Sequence, residues 1–325
     1  MVKNKKTKVN NQDFVIGVDG GGTKTAVALA DMEGKIVSRF ISGISHPRNV
    51  GIKKAAKSIT EGIAGVLKGK RNAKVISTFI GLPAMEEEFK GRKAEIIREL
   101  KKNKKIAVIF KGRVEIGSDQ RVAFRSGANG HDGIVAIAGT GCAVHGWNGS
   151  REDKVNGWGW LADEGSAFWI GRKTFQAILK SYDGRVADTI LEKTALKNLK
   201  LKSLDKLVDF VYADFASNIP KLFRVCDDAA MAGDKVAREI LIAAGKEISL
   251  SVREVAAKLI FAEQVPLVLV GGAYLSRWVA DTAMNEIERY YPGKFDFVIS
   301  GDPVMGAVKL ALEARNSKSQ FSSTK

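Results

Sequence analysis

Two glycine-rich turns present backbone amides that could bind an anion. One follows the apolar run at residues 14–18, and the other follows the apolar run at 133–138. Glycine accepts positive φ and lets the backbone approach a ligand, and consecutive N–H groups in a turn form a nest for a phosphate. Either turn alone is equally an ordinary hairpin connection, but the pair predicts that both hold one polyphosphate. The residues predicted to bind it are Gly20, Gly21, Gly22, Thr23 and Lys24 in the first turn, and Gly139, Thr140 and Gly141 in the second.

Asp19 stands at the end of the first apolar run, directly before the first turn. A carboxylate cannot bind a phosphate directly, but it can hold the Mg²⁺ that accompanies one, usually through water. Thr25, just after the turn, is expected to add a hydroxyl donor. The spacing does not fit a Walker A loop, because Gly22 is followed by Thr-Lys rather than Lys-Ser/Thr, and the G-x-G-x-x-G dinucleotide fingerprint is absent.

Asp119 is the candidate proton acceptor. Phosphoryl transfer requires in-line positioning, charge neutralisation and a group that takes the proton of the attacking hydroxyl. Asp119 follows the apolar segment 113–117 and begins the next segment, which is where a site residue is expected at the carboxyl end of a strand. The alternative is a capping role, since Ser118-Asp119 would cap the helix that follows. Both roles are compatible with one another.

The elements that would position these residues alternate between strands and helices. Apolar and amphipathic patterns predict strands at 14–18, 25–31, 35–41 and 74–83, helices at 52–69 and 86–102, and a strand pair at 106–110 and 113–117. The second half repeats this order, with a strand, turn and strand over 133–147, a mostly helical stretch over 165–262, and a strand that runs into Gly271 and Gly272. This alternation predicts an α/β protein with mixed sheets.

Composition narrows the class of protein. The chain has 325 residues, a formal charge of +16 and 45% hydrophobic residues, which exclude a disordered chain, a collagen and a coiled-coil rod. The positive charge is mixed with glutamates on helical segments such as 90–105, and no nucleic-acid signature or transmembrane run is present, so we expect neither a nucleic-acid nor a membrane partner. Two cysteines cannot form a disulfide framework. Residues 1–12 are interpreted as a disordered basic tail and not a secretory leader, so we expect a cytoplasmic protein.

Five segments together resemble one known family. They are GVDGGGTKT at 17–25, AIAGTGC at 136–142, GWGWLADEGSA at 157–167, LVLVGGAYLS at 267–276 and DPVMGAVKLAL at 302–312. The chain resembles the acetate kinase–sugar kinase–Hsp70–actin superfamily. Within it, the chain is most similar to the BadF/BadG/BcrA/BcrD ATPase group, which includes N-acetylglucosamine kinases.

The resemblance implies an α/β fold of two actin-like (ribonuclease H-like) domains, with mixed β-sheets flanked by helices and ATP–Mg²⁺ in the cleft between them. It implies an N-terminal domain at 13–118, onto which a C-terminal helix at 303–316 packs back, and a C-terminal domain at 119–302. Gly271 and Gly272 are similar to the family's adenosine motif. The family's catalytic aspartate stands in a context similar to that of Asp119. Closure of the domains on substrate would keep water from hydrolysing ATP.

The resemblance also implies sugar-binding residues in the second half. It places Asp163 on sugar hydroxyls, because a carboxylate accepts two bonds and fixes orientation. Gly157 belongs to the same segment, and Trp158 is expected to stack on a sugar face. The alternatives are helix capping for Asp163 and core packing for Trp158.

The loop at 45–51 is where the first domain is expected to contact substrate. His46 takes the place of an asparagine that is common in the sugar kinases, and Asn49 lies nearby. His46 with Arg48 would suit a carboxylate-bearing substrate, such as a 2-keto-3-deoxy sugar acid, because arginine binds carboxylates in bidentate fashion. A loop whose His and Arg face solvent is the alternative. The chain also differs from the sugar kinases at Gln120 and Arg121, because small residues commonly follow the catalytic aspartate in those proteins.

The leading hypothesis is that the chain is an ATP-dependent kinase that phosphorylates a primary hydroxyl of a hexosamine or hexose. The expected partner is therefore a small-molecule substrate, and by analogy with the family a homodimer is expected. A sugar-acid kinase is an alternative within the same class. A second alternative is an ATPase that activates a CoA-ester dehydratase or reductase; such activators share an iron–sulfur cluster across a dimer, a pattern that Cys142 and Cys226 do not form. A non-catalytic sugar sensor is disfavoured, because no helix-turn-helix extension is present.

Overall fold

The computed structural model describes residues 13–70, 72–83 and 90–315. The predicted basic tail at 1–12 lies outside the described residues, as does part of the helix predicted at 86–102. The described residues fall into two compact units. One comprises the residues up to Ser126 together with those from Asp302 onward, and the other comprises Gly127–Gly301.

The first unit is built on a five-stranded mixed sheet with the strand order β3-β2-β1-β4-β5. Its strands are β1 (Asp13–Gly20), β2 (Thr25–Ala30), β3 (Ile36–Ser42), β4 (Lys74–Leu82) and β5 (Arg113–Ser118). The first three strands form an antiparallel meander, whereas β1, β4 and β5 run parallel. The carboxyl ends of these three parallel strands therefore meet at one edge of the sheet.

Helices cover both faces of this sheet. They are α1 (Pro47–Val66), α2 (Lys90–Lys101), α3 (Asp119–Gly127) and, from the end of the chain, α11 (Pro303–Ala314). Helices α1 and α2 bury their apolar residues against one face. On the other face α11 approaches β1 closely, since a Cβ on Gly17 would lie 2.5 Å from the Val308 amide nitrogen. Helix α3 groups with this unit and not with the second, because Val122 packs with Phe79 and Val304.

The second unit repeats the arrangement of the first sheet. Its strands are β6 (Gly133–Ala138), β7 (Cys142–Asn148), β8 (Arg151–Asn156), β9 (Val265–Val270) and β10 (Phe295–Ser300). The order is β8-β7-β6-β9-β10, again with an antiparallel meander followed by two parallel strands. The predicted mixed α/β fold is therefore confirmed.

The helices of the second unit share one core with this sheet. They are α4 (Ala167–Tyr182), α5 (Leu191–Leu199), α6 (Leu204–Ala213), α7 (Phe215–Asn218), α8 (Leu222–Met231), α9 (Lys235–Leu259) and α10 (Arg277–Tyr290). The core contains residues from the sheet and helices together, including Val144, Trp169 and Ile248. None of the helices in the described ranges is both long and apolar enough to cross a lipid bilayer.

Three local predictions are wrong. The segment predicted as a strand at 106–110 lies in a 3₁₀ helix at Lys104–Lys111, because Ile106 and Ile109 recur at the spacing that buries one side of a helical turn. Asn103 caps it by accepting from the Lys105 amide. Strands β8 and β10 were not predicted. The sequence of β8, REDKVN, has almost no apolar residues, whereas that of β10, FDFVIS, has four, in a run too short to distinguish a strand from other structure. Helix α1 begins at Pro47 and not at residue 52, with a kink at Gly51 (φ 74°).

Candidate functional site

The first glycine turn closes the β1–β2 hairpin. Gly20 pairs with Thr25 across it, and the Gly21 amide donates to the Lys24 carbonyl at 3.0 Å. None of the turn's three glycines has a left-handed φ, so the prediction that glycine is needed here for a positive φ is wrong. Space explains Gly20 instead, since a Cβ there would lie 2.4 Å from Ser45 Oγ and 2.5 Å from a Leu82 methyl carbon.

Replacing Gly20 with alanine is expected to lower the free energy of unfolding by about 1–3 kcal/mol, because the added methyl must displace Ser45 and Leu82. Urea unfolding measures the change. Gly91→Ala is the matched control: Gly91 is an exposed helical residue with open space around its Cβ position. That substitution should leave stability unchanged or raise it by about 0.5–1 kcal/mol. Equal effects of the two substitutions would contradict the steric account.

The tip of this turn is free to meet a ligand. Gly22, Thr23 and Lys24 are exposed, and within the described part of the chain no residue accepts a hydrogen bond from the Gly22 or Thr23 amide. Thr25, in contrast, is fully buried. Its hydroxyl donates to the Gly43 carbonyl at 2.6 Å and lies 2.7 Å from Ser45 Oγ, so it anchors the 43–45 loop to the hairpin and does not extend the nest.

Asp19 lies at the carboxyl end of β1. Burial raises the pKa of Asp19 from its ordinary 3.8 to about 6; Asp302 raises it further, and Lys24 acts in the opposite direction. Asp302 precedes α11 and pairs with Arg39 at 2.5 Å. Two carboxylates near each other are a donor set that suits Mg²⁺, which takes one or two protein carboxylates and completes its shell with water and phosphate oxygens. The residues present therefore fit the predicted cation.

Removing the charge of Asp19 should stabilise the metal-free protein at neutral pH. The pKa of Asp19 is higher in the folded than in the unfolded state, so the folded protein binds the proton more tightly. The free energy of unfolding therefore falls as the pH rises from about 4 to about 6, by up to roughly 3 kcal/mol in total. We expect Asp19→Asn to match wild type at pH 4 and to exceed its free energy of unfolding at pH 7, measured by urea unfolding in EDTA. Asp281→Asn, exposed on α10, is the control and should show no such pH-dependent difference. A constant offset between Asp19→Asn and wild type would contradict this account.

Asp119 begins α3, directly after β5 ends. In the parallel register Asp19 pairs with Gly81 on β4, and Leu82 of the same strand pairs with Ser118. Asp19 and Asp119 thus lie at the same edge of the sheet, two strands apart, so that their backbones are roughly 10 Å from each other. The Ser118 hydroxyl accepts from the Gln120 amide at 3.1 Å. That amide is therefore capped by Ser118, and Asp119 is not needed for it.

The loop before α1 lies against the first turn. The Cβ position of Gly22 is 3.8 Å from Asn49 Nδ2 and 3.9 Å from His46 Cδ2. His46 precedes α1 without capping it by its side chain. Burial lowers the pKa of His46, and the nearby charges of Arg48 and Arg92 lower it further. Arg92 comes from the first turns of α2 and was not predicted as a site residue, because no local pattern links it to this loop.

The second glycine turn is held by two elements of its own unit. The Gly139 amide donates to the Gly141 carbonyl at 2.9 Å, and the Gly139 carbonyl accepts from the Ala167 amide at the start of α4 at 2.8 Å. Gly271 packs directly against this turn, since a Cβ there would lie 2.3 Å from the Ala138 carbonyl oxygen and 2.9 Å from the Gly139 nitrogen. Its φ of 124° also favours glycine. The structure thus brings the predicted phosphate and adenosine motifs of this unit together, and Gly272 beside them has open space at its Cβ position.

Asp163 is buried, with 3% of its surface exposed, and holds the 157–163 loop by its carboxylate. Its Oδ1 accepts from the amides of Gly157 at 3.0 Å and Trp158 at 2.9 Å. Its Oδ2 accepts from the amides of Cys142 and Gly159, both at 3.3 Å. Burial raises the pKa of Asp163, although the four amides act in the opposite direction. Four donors fill the acceptor sites of a carboxylate, so Asp163 has a structural role that the sequence did not indicate.

Two tryptophans of the same loop differ in environment. Trp158 is 85% exposed and free to stack on a ligand. Trp160 packs on Phe168 and Phe215, with ring centroids 4.5 and 5.6 Å away, and belongs to the core of this unit. Gly157 (φ 79°) and Gly159 (φ 121°) allow the sharp bends on either side of Trp158. The contact of this loop with a sugar stays a prediction, as does the binding of one polyphosphate by both turns.

Comparison with known proteins gives a consistent result. Residues 16–311 match the BadF/BadG/BcrA/BcrD ATPase family. The chain is 30% identical over 310 residues to the N-acetylmuramic acid/N-acetylglucosamine kinase of Clostridium acetobutylicum, covering 92% of this chain and 98% of that protein. It is 29% identical over 334 residues to the N-acetyl-D-glucosamine kinase of Dictyostelium discoideum, covering 94% and 99% respectively.

A solved structure supports the fold independently. A protein of Chromobacterium violaceum described as an N-acetylglucosamine kinase superimposes with a TM-score of 0.69 over 92% of this chain and 98% of its own, at 21% identity. At that identity the similarity establishes the fold alone.

Proposed function

Because the chain belongs to the BadF/BadG/BcrA/BcrD ATPase family, as its motifs predicted, we propose that it is an ATP-dependent sugar kinase. It transfers the γ-phosphoryl group of ATP to a primary hydroxyl of a hexosamine or hexose, in the manner of an N-acetylglucosamine kinase. The observation that carries the proposal is the edge of the first sheet, where an open glycine turn, Asp19 and Asp119 lie together. The names of the two relatives support a sugar acceptor.

The chemistry follows from these residues. Asp119 accepts the proton of the sugar hydroxyl while the oxygen of that hydroxyl bonds to the γ-phosphorus of ATP. The bond between the γ-phosphorus and the β–γ bridging oxygen breaks, and ADP leaves. The amides of Gly22 and Thr23 and the Lys24 ammonium hold phosphate oxygens. Asp19, with Asp302 near it, would hold Mg²⁺ through water, and the bound ion would neutralise phosphate charge.

The second unit contributes the remaining nucleotide contacts in this proposal. Gly139, Thr140 and Gly141 bind phosphate oxygens of ATP, and Gly271 and Gly272 accommodate the adenosine. The packing of Gly271 against the second turn supports a single nucleotide surface within this unit. The exposed Trp158 supplies a stacking face for the sugar. Asp163 keeps Gly157 and Trp158 in place for it.

An ADP-release assay tests the proposal. The purified chain is incubated with ATP and Mg²⁺ and, in turn, N-acetylglucosamine, glucosamine, glucose, mannose and 2-keto-3-deoxygluconate. We expect sugar-dependent ADP release with at least one acceptor, and a phosphorylated sugar of matching amount by mass spectrometry. ADP release that no acceptor stimulates would contradict the kinase assignment.

The alternative of an activator ATPase has a distinct signature. It would show iron–sulfur absorbance after anaerobic purification. The environment of the thiols argues against it, because Cys142 and Cys226 are both buried and burial raises the pKa of each to about 12. Cluster ligands must be thiolates.

The setting is also part of the proposal. The substrate is a small molecule, the compartment is the cytoplasm and the assembly is a homodimer. Two free, buried cysteines suit a reducing compartment. Part of the positive charge is paired with carboxylates three residues away in the chain, as in Lys102–Glu99 and Lys206–Asp209, which suits a solvated surface better than a nucleic-acid interface. Light scattering after size exclusion tests the dimer.

A further inference from the structure

We propose that the acceptor is a glycan of at least two linked sugar rings, and that the second ring packs on an apolar platform beside the first. The platform consists of the exposed side chains of Trp158, Leu161, Tyr212 and Phe215. This inference rests on the proposed function, because it names the class of acceptor for the same site.

The exposure of the platform is the first argument. Between 47% and 85% of the surface of each of its four side chains is accessible to water. Single apolar residues scattered over a protein surface are ordinary, but a contiguous group of large ones marks a surface that binds a ligand or a partner. Burying such a surface against the apolar face of a ligand is favourable in water.

The ring contacts beneath the platform are the second argument, because they make it continuous. Trp160 packs on Phe168 and on Phe215, with ring centroids 4.5 and 5.6 Å away, and Tyr212 packs edge-on against Phe175 at 6.4 Å. Phe168 and Phe175 are both on α4, seven residues apart, so they lie on the same side of that helix and about 10 Å from each other along its axis. The loop that carries Trp160 and the segment that carries Tyr212 therefore pack side by side on one face of α4.

The third argument is the chemistry of this surface. A pyranose ring presents C–H groups on its faces and hydroxyls around its edge, so an aromatic side chain can cover a face without burying the hydroxyls. Asp214, between Tyr212 and Phe215 in the chain, is exposed. Its Oδ1 accepts from the Ser217 amide at 3.2 Å, and the carboxylate has further acceptor sites for sugar hydroxyls. Aromatic faces beside a hydroxyl acceptor suit a glycan better than a purely apolar ligand.

The platform also begins at the residue on which the first ring is expected to lie. In the proposed function, Trp158 supplies the stacking face for the sugar that receives the phosphoryl group. A second ring linked through oxygen 1 of that sugar leaves its primary hydroxyl free, and the transfer is unchanged. The hydroxyl proton goes to Asp119, the hydroxyl oxygen bonds to the γ-phosphorus, and ADP leaves. The second ring then covers Leu161 and Phe215, with Tyr212 beyond them.

A pair of matched acceptors tests the inference. N-acetylglucosamine has one ring, and N,N′-diacetylchitobiose is the same sugar with a second, identical ring linked through its oxygen 1. We expect the wild-type chain to have the higher kcat/KM for the disaccharide, with the phosphate on the terminal ring by fragmentation mass spectrometry. Tyr212→Ser should lower kcat/KM for the disaccharide by about 3–10-fold, mainly through KM, and change that for the monosaccharide less than about 2-fold. Tyr212→Phe keeps the aromatic ring and should retain most of the preference.

Tyr290→Ser is the matched control, because Tyr290 is a half-exposed tyrosine on α10 whose ring packs on Arg253 and Arg289. It should affect neither acceptor, and thermal melts check that every variant is folded. Equal effects of Tyr212→Ser on the two acceptors, including none, or a change of oligomeric state in that variant, would overturn the inference. A wild-type preference for the monosaccharide would overturn it as well, while leaving the kinase assignment intact. No transfer to either acceptor or to the other sugars of the ADP-release assay would overturn both.

Discussion

Asp119→Asn should lower kcat by about 10²–10⁴-fold and leave ATP binding nearly unchanged. The substitution keeps the size of the side chain at the start of α3 but removes the group that accepts the hydroxyl proton in the proposed reaction. Single-turnover transfer measures the chemical step, and fluorescence titration with an ATP analogue measures binding. A variant that turns over at the wild-type rate would remove Asp119 from this role.

Ser118→Ala separates catalysis from helix capping. Ser118 accepts from the Gln120 amide, so its loss should lower the free energy of unfolding by about 1 kcal/mol and leave kcat close to wild type. Asp119→Asn should show the opposite combination, with stability retained and turnover lost. If Asp119→Asn were destabilised as much as Ser118→Ala, and lost activity only in proportion, the capping alternative would be favoured.

Asp163→Ala should cost stability and activity together. The four amides that donate to the buried Asp163 carboxylate would lose this acceptor, and we expect the free energy of unfolding to fall by about 3 kcal/mol. KM should rise for ATP as well as for the sugar, because a Cβ on Gly141 would lie 2.8 Å from Asp163 Oδ2, which places the second turn directly against this carboxylate. Urea unfolding and steady-state kinetics with each substrate varied measure the two effects.

The same experiment distinguishes the two roles of Asp163. A residue that only binds sugar hydroxyls would raise KM for the sugar alone and leave stability near wild type. Asp153→Asn is a suitable control, since Asp153 lies on β8 in a solvent-accessible pair with Lys258 at 3.0 Å. Pairs of that kind contribute about 1 kcal/mol or less. A stable Asp163→Ala with an altered sugar KM would favour the sugar-binding prediction.

Local patterns carried much of the prediction of the fold. The first hairpin was predicted because two short apolar runs and the glycine turn between them are short-range signals. The segment 106–110 was predicted wrongly because an apolar run of five residues has no period long enough to separate a strand from a helical turn. The edge strands β8 and β10 escaped prediction for a related reason, since half-exposed strands are specified by their neighbours.

The sequence by itself determined the two glycine turns, the carboxylates that end strands at Asp19 and Asp119, and the family, because each depends on residues that are adjacent in the chain. Only the tertiary structure decided which groups act on one another across the chain. Arg92 reaches the surroundings of His46 and Asp302 those of Asp19, although long stretches of chain separate each pair. It likewise decided that Asp163 holds backbone amides. Burial and hydrogen-bond partners come from packing, and a residue's type does not specify which distant amides or charges will surround it.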